Sequence, residues 1–214
     1  MGRPTVFGAP GHDLRSMAQA GGGTFESGKQ VSRRVAAAGA EGEQRTAAWL
    51  IEEVFPDDGL LLIFHSLSVP GMGSADMDHA VLSGNQLLLI DSKAWGTGRY
   101  TFLRGTCFHN GKVYEPGKTQ TLQKASVAFT RFFESRGIPA PQVHTALVIH
   151  QMGEQRRRDG VQKLMMLAPT QADVITQPTP KGAKRLRSLA AVDRPALANE
   201  GVIDALSKCL RKSR

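Results

Sequence analysis

Two cysteines among 214 residues, Cys107 and Cys209, are too few for a disulfide framework, and the cytoplasm is the expected compartment. No run approaches the roughly 18 consecutive apolar residues of a membrane helix, and the amino terminus lacks a basic stretch followed by an apolar core. Met1-Gly2 opens as a myristoylation signal does, but Val6 stands where Ser or Thr is needed. There is no internal repeat, no Gly-rich phosphate loop and no Cys/His spacing suited to zinc. His65, His109, His144 and His150 have no partner recognisable by spacing, so a nucleophile activated by a histidine base is not supported. These absences lead us to expect a soluble, intracellular protein with no membrane partner, and leave no phosphate-loop or zinc signature.

Hydrophobic residues make up 41% of the chain, enough for one domain with appendages. Charge is unevenly spread. Residues 1–150 hold 14 Lys and Arg against 13 Asp and Glu, whereas residues 151–214 hold 13 against 6, so nearly all of the net +8 lies late in the chain. The basic residues gather in Arg156-Arg157-Arg158, in Lys181 to Arg187 with Lys184 and Arg185 at its centre, and in Lys208 to Arg214. One such cluster is ordinary solvated surface. Three within 64 residues are the electrostatic footprint of a polyanion binder, with nucleic acid the expected partner.

The densest chemistry lies at Asp78 and Asp91. Met77 to Ser83 and Gln86 to Lys93 flank Gly84-Asn85, a two-residue hairpin signal. Closing the turn there sets Ser83 against Gln86, Leu82 against Leu87, Ala80 against Leu89 and Asp78 against Asp91. Like charges directly opposite repel, and Leu87 to Ile90 is apolar on both faces, as in a strand covered on both sides. The two carboxylates therefore need a counter-charge. A divalent cation with oxygen ligands supplies one, and Lys93, on the face of Asp91 by strand alternation, supplies part of another. The bland alternative is an ordinary ion pair at a wet sheet edge, since Asp76 falls opposite Lys93 in the same register. His79 faces away from Asp78 and is placed to support the site from the opposite face.

A third acid precedes the hairpin. Ala47, Leu50, Ile51 and Val54 recur at helical spacing before Pro56, and Glu43 lies one turn before Ala47 on that stripe. By itself Glu43 reads equally well as a first-turn acid favoured by the helix dipole.

Gly39-x-x-Gly42-Glu43 on a helix, Asp78-His79 on one strand and Asp91-Ser92-Lys93-x-Trp95-Gly96 after the next together resemble the nuclease-related domain (NERD) family, a branch of the restriction-endonuclease-like PD-(D/E)XK superfamily. The similarity covers roughly Gly39 to His150. It implies an α/β fold with an αβββαβ core, a mixed sheet flanked by helices on both faces. It also implies Glu43, Asp78, Asp91 and Lys93 as catalytic residues. Asp78, Asp91, Glu43 and the Ser92 carbonyl are the implied ligands of Mg²⁺, with Mn²⁺ as a substitute. Met77 departs from the Pro common in the wider superfamily. The glutamine that the family often places on its second core helix has two candidates, Gln120 and Gln123, with Gln123 preferred for holding a phosphate or the attacking water. The implied activity is Mg²⁺-dependent endonucleolytic hydrolysis of DNA, preferred over RNA. The alternative is a non-catalytic nucleic-acid-binding module that keeps the fold.

Residues 1–30, with Gly21-Gly22-Gly23, read as a flexible arm, 31–168 as the nuclease-like core and 169–214 as a basic helical extension. Within the core, Leu60–Val69 reads as the first strand. Tyr100–Leu103 and Lys112–Tyr114 flank a turn at His109-Asn110-Gly111. A helix is expected over 119–136, and Val143–Ile149 is a central strand with Leu164–Leu167 another. The clearest late helix spans Ala196–Leu210.

Overall fold

The computed structural model describes residues 2–11, 22–24, 30–117, 119–152, 161–168, 170, 172–191 and 196–211. Helix α1 (Arg33–Trp49) is alanine-rich and buries Ala36, Ala40, Glu43, Thr46 and Ala47 along one stripe. Its end widens over Leu50–Val54, where Phe55 N–H donates to the Leu50 carbonyl at 2.8 Å, and Pro56 then prevents further helix. The chain proceeds through three antiparallel strands, β4 (Leu62–Ser68), β5 (Asp76–Ser83) and β6 (Gln86–Trp95), then α2 (Gln120–Glu134) and β10 (Gln142–Gln151). β10 lies parallel to β6 from Gln142↔Gln86 to Gln151↔Trp95. This is the expected αβββαβ order.

The main sheet runs β1-β4-β5-β6-β10-β12, with β1 Thr5–Phe7 and β12 Val174–Thr176 at its edges, while β2 (Gly22–Thr24) and β3 (Gln30–Ser32) form a separate antiparallel pair. β6 is central, and Leu87 to Ile90 are fully buried. On one face Ile63, Val81, Leu88, Ile90 and Val148 pack against α1, the widened turn and α3 (Pro180–Leu189). On the other, Phe64, Ala80, Leu82, Leu87 and Leu89 meet Phe129 and Phe133 of α2 and Leu206 of α4 (Glu200–Cys209). Among the described residues no helix is long and apolar enough to cross a membrane.

Several local expectations are corrected. The insertion after Trp95 is a separate sheet in the order β11-β7-β8-β9 (Gln162–Met166, Gly98–Leu103, Thr106–His109, Lys112–Val113). A turn at Arg104-Gly105, both with positive φ (48° and 81°), adds the strand Thr106–His109. That strand, and not Tyr100–Leu103, precedes the Asn110-Gly111 turn. The segment at Leu164–Leu167 pairs parallel with β7 in this second sheet, so it is not a core strand. Within the segment read as an arm, Thr5–Phe7 pairs parallel with Leu62–Phe64, and Phe7 stacks on Phe64 with ring centroids 4.8 Å apart. The late segment is built into the body of the fold. β12 extends the sheet beside β10, Arg187 donates to the Val54 carbonyl and pairs with Asp58 at 2.9 Å, and Leu206 is 0% exposed.

Leu206→Ala is therefore expected to lower stability by about 2–5 kcal/mol, as emptied core sites do. Leu197→Ala, at a position 82% exposed, should shift it by less than about 0.5 kcal/mol. Urea unfolding of both variants checks whether the late helices share the core's cooperativity.

Candidate active site

Strand β6 changes character at its end. After the buried run Leu87 to Ile90, alternation sets Asp91 and Lys93 on the face of Leu87 and Leu89, and Ser92 on the face of Leu88 and Ile90. Lys93 Nζ pairs with Asp91 Oδ1 at 2.5 Å, their side chains 34% and 23% exposed. The β5–β6 ladder follows the expected register from Ser83↔Gln86 to His79↔Ile90, one step short of the two aspartates. There Asp78 Oδ2 accepts from the Ser92 backbone N–H at 2.6 Å. Glu43 arrives from α1, whose approach depends on Gly42: a Cβ at that position would lie 3.1 Å from the Ala94 Cβ on β6. Glu43 Oε2 accepts the Gly11 N–H at 2.8 Å, a tie from a segment 32 residues earlier.

The four side chains perturb one another. Burial raises the Glu43 carboxyl to about 7; the Gly11 N–H opposes that rise, as does Lys93, while Asp76 and Asp91 add to it. Asp78 is raised well above the ordinary carboxylate range, by burial first and then by Glu43 and Asp91. Burial alone would pull the Lys93 ammonium down, but Asp91, Asp78 and Glu43 together hold it above its ordinary value. Three carboxylates facing one ammonium leave two negative charges unbalanced when all are ionised, and the site answers by binding protons more tightly. Asp76, at the start of β5, stands 3.8 Å from Arg211, so the ion pair of Lys93 is with Asp91.

The opposite face of β6 carries a line of buried polar groups. His65 Nδ1 lies 2.7 Å from His79 Nδ1, His79 Nε2 lies 3.1 Å from Ser92 Oγ, and Ser92 Oγ donates to Thr46 Oγ1 at 2.9 Å. Thr46 Oγ1 lies 2.7 Å from His150 Nε2 and donates to the Gly42 carbonyl. Burial pushes His65 down to about 4 and His79 well below its ordinary value, so these rings are neutral at physiological pH. His79 thus supports the site from behind.

Gln123 makes no such bond. It is exposed in the first turns of α2 and lines a cleft against the β4–β5 loop, and neither it nor exposed Gln120 bonds to Glu43, Asp78, Asp91 or Lys93 among the described residues. Lys184 and Arg185 are exposed on α3, the layer covering the face opposite Asp91 and Lys93. Arg156, Arg157 and Arg158 lie outside the described residues. Sequence reasoning missed Gly11, Thr46, His65, His150 and Tyr114. The Tyr114 ring packs edge-on to Trp95 at 5.0 Å, two positions beyond Lys93, whose charge reaches its phenol. Thr46 alone left a trace, three residues after Glu43 on the same helical face.

Among the described residues, no three His, Cys, Asp or Glu side chains stand as a preformed metal cage. Glu43 is turned to Gly11 and Asp91 to Lys93. The donor set itself is that of a hard divalent ion: carboxylate oxygens, with negative charge in excess.

A family model described as nuclease-related domain matches residues 38–150, just over half of the chain and a span holding Glu43, Asp78, Asp91 and Lys93. No curated protein and no solved structure matches.

Glu43 and Asp78 bind protons more tightly folded than unfolded, so metal-free stability should be highest below the ordinary carboxylate pKa and fall as pH rises through about 7. Glu43→Gln should flatten that fall. Melting temperatures in EDTA between pH 5 and 8 check this; parallel curves for both proteins would show that Glu43 is not the group responsible.

Proposed function

The chain belongs to the nuclease-related domain family of the restriction-endonuclease-like superfamily, and on that premise we propose that it is a Mg²⁺-dependent endonuclease acting on DNA. The observation that carries the proposal is the unbalanced carboxylate set around Lys93 at the end of β6. Apolar packing explains neither Asp78 nor Asp91 there, and Asp91 adds to the cost of ionising Asp78.

Glu43, Asp78 and Asp91, with the Ser92 carbonyl, would hold the ion. When bound, a divalent ion offsets charge on the phosphate oxygens and makes a bound water more acidic. Lys93 keeps its proton beside three carboxylates and directs it at a non-bridging phosphate oxygen, where negative charge grows as water attacks phosphorus. The bond from phosphorus to the departing sugar oxygen breaks, that oxygen takes up a proton, and the attacking water loses one. Asp78, anchored on the Ser92 N–H through one oxygen, would offer the other to the ion. Gln123, with Gln120 beside it, would contact a phosphate away from the one being cleaved. The late basic residues, Lys184 and Arg185 together with Arg156, Arg157 and Arg158, would draw in DNA through counterion release.

Asp91→Asn and Lys93→Ala should each abolish plasmid cleavage in Mg²⁺ while leaving the melting curve in EDTA unchanged or, for Asp91→Asn, raised. Full activity in either variant sinks the mechanism.

The native protein should gain about 2.7 kcal/mol of stability at Mg²⁺ or Mn²⁺ concentrations near 100 Kd, and Asp91→Asn should lose most of that gain. A melting temperature that responds to DNA and not to either metal would identify a non-catalytic binding module instead.

A further inference from the structure

We propose that a single nucleic-acid strand lies in the cleft between α2 and the β4–β5 loop, leading to the carboxylates; the proposal rests on the nuclease reading and specifies the form of substrate that the site receives. The cleft has a volume of about 710 Å³, and none of the residues lining it is acidic. Its α2 wall presents Gln123, Lys124, Val127, Arg131 and Phe132, and its opposite wall presents Met72. Among the described residues Lys124 and Arg131 make no ion pair.

Position ties the cleft to the chemistry. Leu122, Phe129 and Phe133 of α2 pack on the sheet face that carries Leu87 and Leu89, which by alternation is the face of Asp91 and Lys93. The opposite wall belongs to a loop closed by Val69 N–H donating to the Ala75 carbonyl at 2.9 Å. That loop runs straight into β5, where Asp78 is the third residue. A strand in the cleft thus lies on the sheet face of Asp91 and Lys93, against the loop that leads to Asp78.

The walls match one strand of nucleic acid better than a duplex. Lys124 and Arg131 are seven residues apart, two helical turns or about 10.5 Å, close to the rise of three stacked nucleotides at about 3.4 Å each. Between them Val127 is 44% exposed, and Phe132 lies beyond with the Arg136 guanidinium 3.8 Å from its ring centroid. Cations for phosphates alternating with apolar and aromatic surface for base faces is the pattern of single-strand grooves. A duplex hides its base faces and would leave that apolar floor uncovered.

The test uses the full chain carrying Asp91→Asn, in EDTA, so that binding is read without cleavage. Fluorescence anisotropy with a labelled eight-nucleotide single strand and a labelled 30-base-pair duplex is compared for three proteins: Asp91→Asn alone, and with K124E/R131E or K184E/R185E added. K124E/R131E should weaken single-strand binding about tenfold or more and flatten its salt dependence by about 1.4, roughly 0.7 for each phosphate contact on a single strand. K184E/R185E, on the opposite layer, should leave the short strand within about twofold and act on the duplex. Equal losses from the two pairs, or no loss from K124E/R131E, would overturn the cleft while leaving the nuclease reading in place. Binding of neither nucleic acid at low salt would overturn both. Melting curves of all three proteins show whether a loss comes from unfolding, and Val127→Glu, a single change at an exposed position, gives an independent reading of the floor.

Discussion

Ser92 is the pivot on which the fold and the candidate site both turn. Its backbone N–H holds Asp78, its neighbours on the strand are Asp91 and Lys93, and its hydroxyl is the middle link of a hydrogen-bonded line from β4 to β10. Buried polar groups are costly unless partnered, and one assignment of protons satisfies the whole line with neutral rings. His65 donates from Nδ1 to His79 Nδ1, His79 donates from Nε2 to Ser92, Ser92 donates to Thr46, and Thr46 accepts from His150 Nε2 while donating to the Gly42 carbonyl. Five side chains from four strands and a helix are fixed in one register. Displacing Ser92 would orphan several of them at once and would shift the acids on the other face.

The two faces of β6 divide the work. The α1 face is neutral and serves to hold α1 at a fixed height, with Gly42 allowing the approach that delivers Glu43. The α2 face is charged and open enough for Asp91 and Lys93 to keep contact with water. Burial keeps His65 and His79 uncharged on the first face, so they add no positive charge behind the acids.

Much of this was readable in the sequence because it is local. The Gly84-Asn85 turn fixes the hairpin register by geometry, and the apolar run ending in Asp91 marks a buried strand that meets charge. What was not readable depends on contacts between distant segments or on elements too short to show a period. Thr5–Phe7 and Val174–Thr176 are three-residue strands recognisable only beside β4 and β10. The Arg104-Gly105 turn puts an arginine at positive φ, where asparagine or glycine is the usual signal. The bond from Gly11 to Glu43 and the joining of His65 and His150 to the two ends of the line through Ser92 have no signature in spacing at all.

The early end of the β5–β6 ladder is what makes the acid pair possible. Had regular antiparallel pairing continued past His79↔Ile90, the Ser92 N–H would have gone to the Met77 carbonyl, and Asp78 would have faced Asp91 with no donor of its own. Because the strands part there, Asp78 takes that N–H and Asp91 turns to Lys93, so each acid is satisfied separately while Asp91 remains close enough to raise the affinity of Asp78 for a proton. The sheet thus holds two like charges without unfolding, by giving up one rung of pairing. The unbalanced charge that results is concentrated at the strand end, on the face that also carries the cationic wall of α2, where a polyanion and its counter-ion would meet it together.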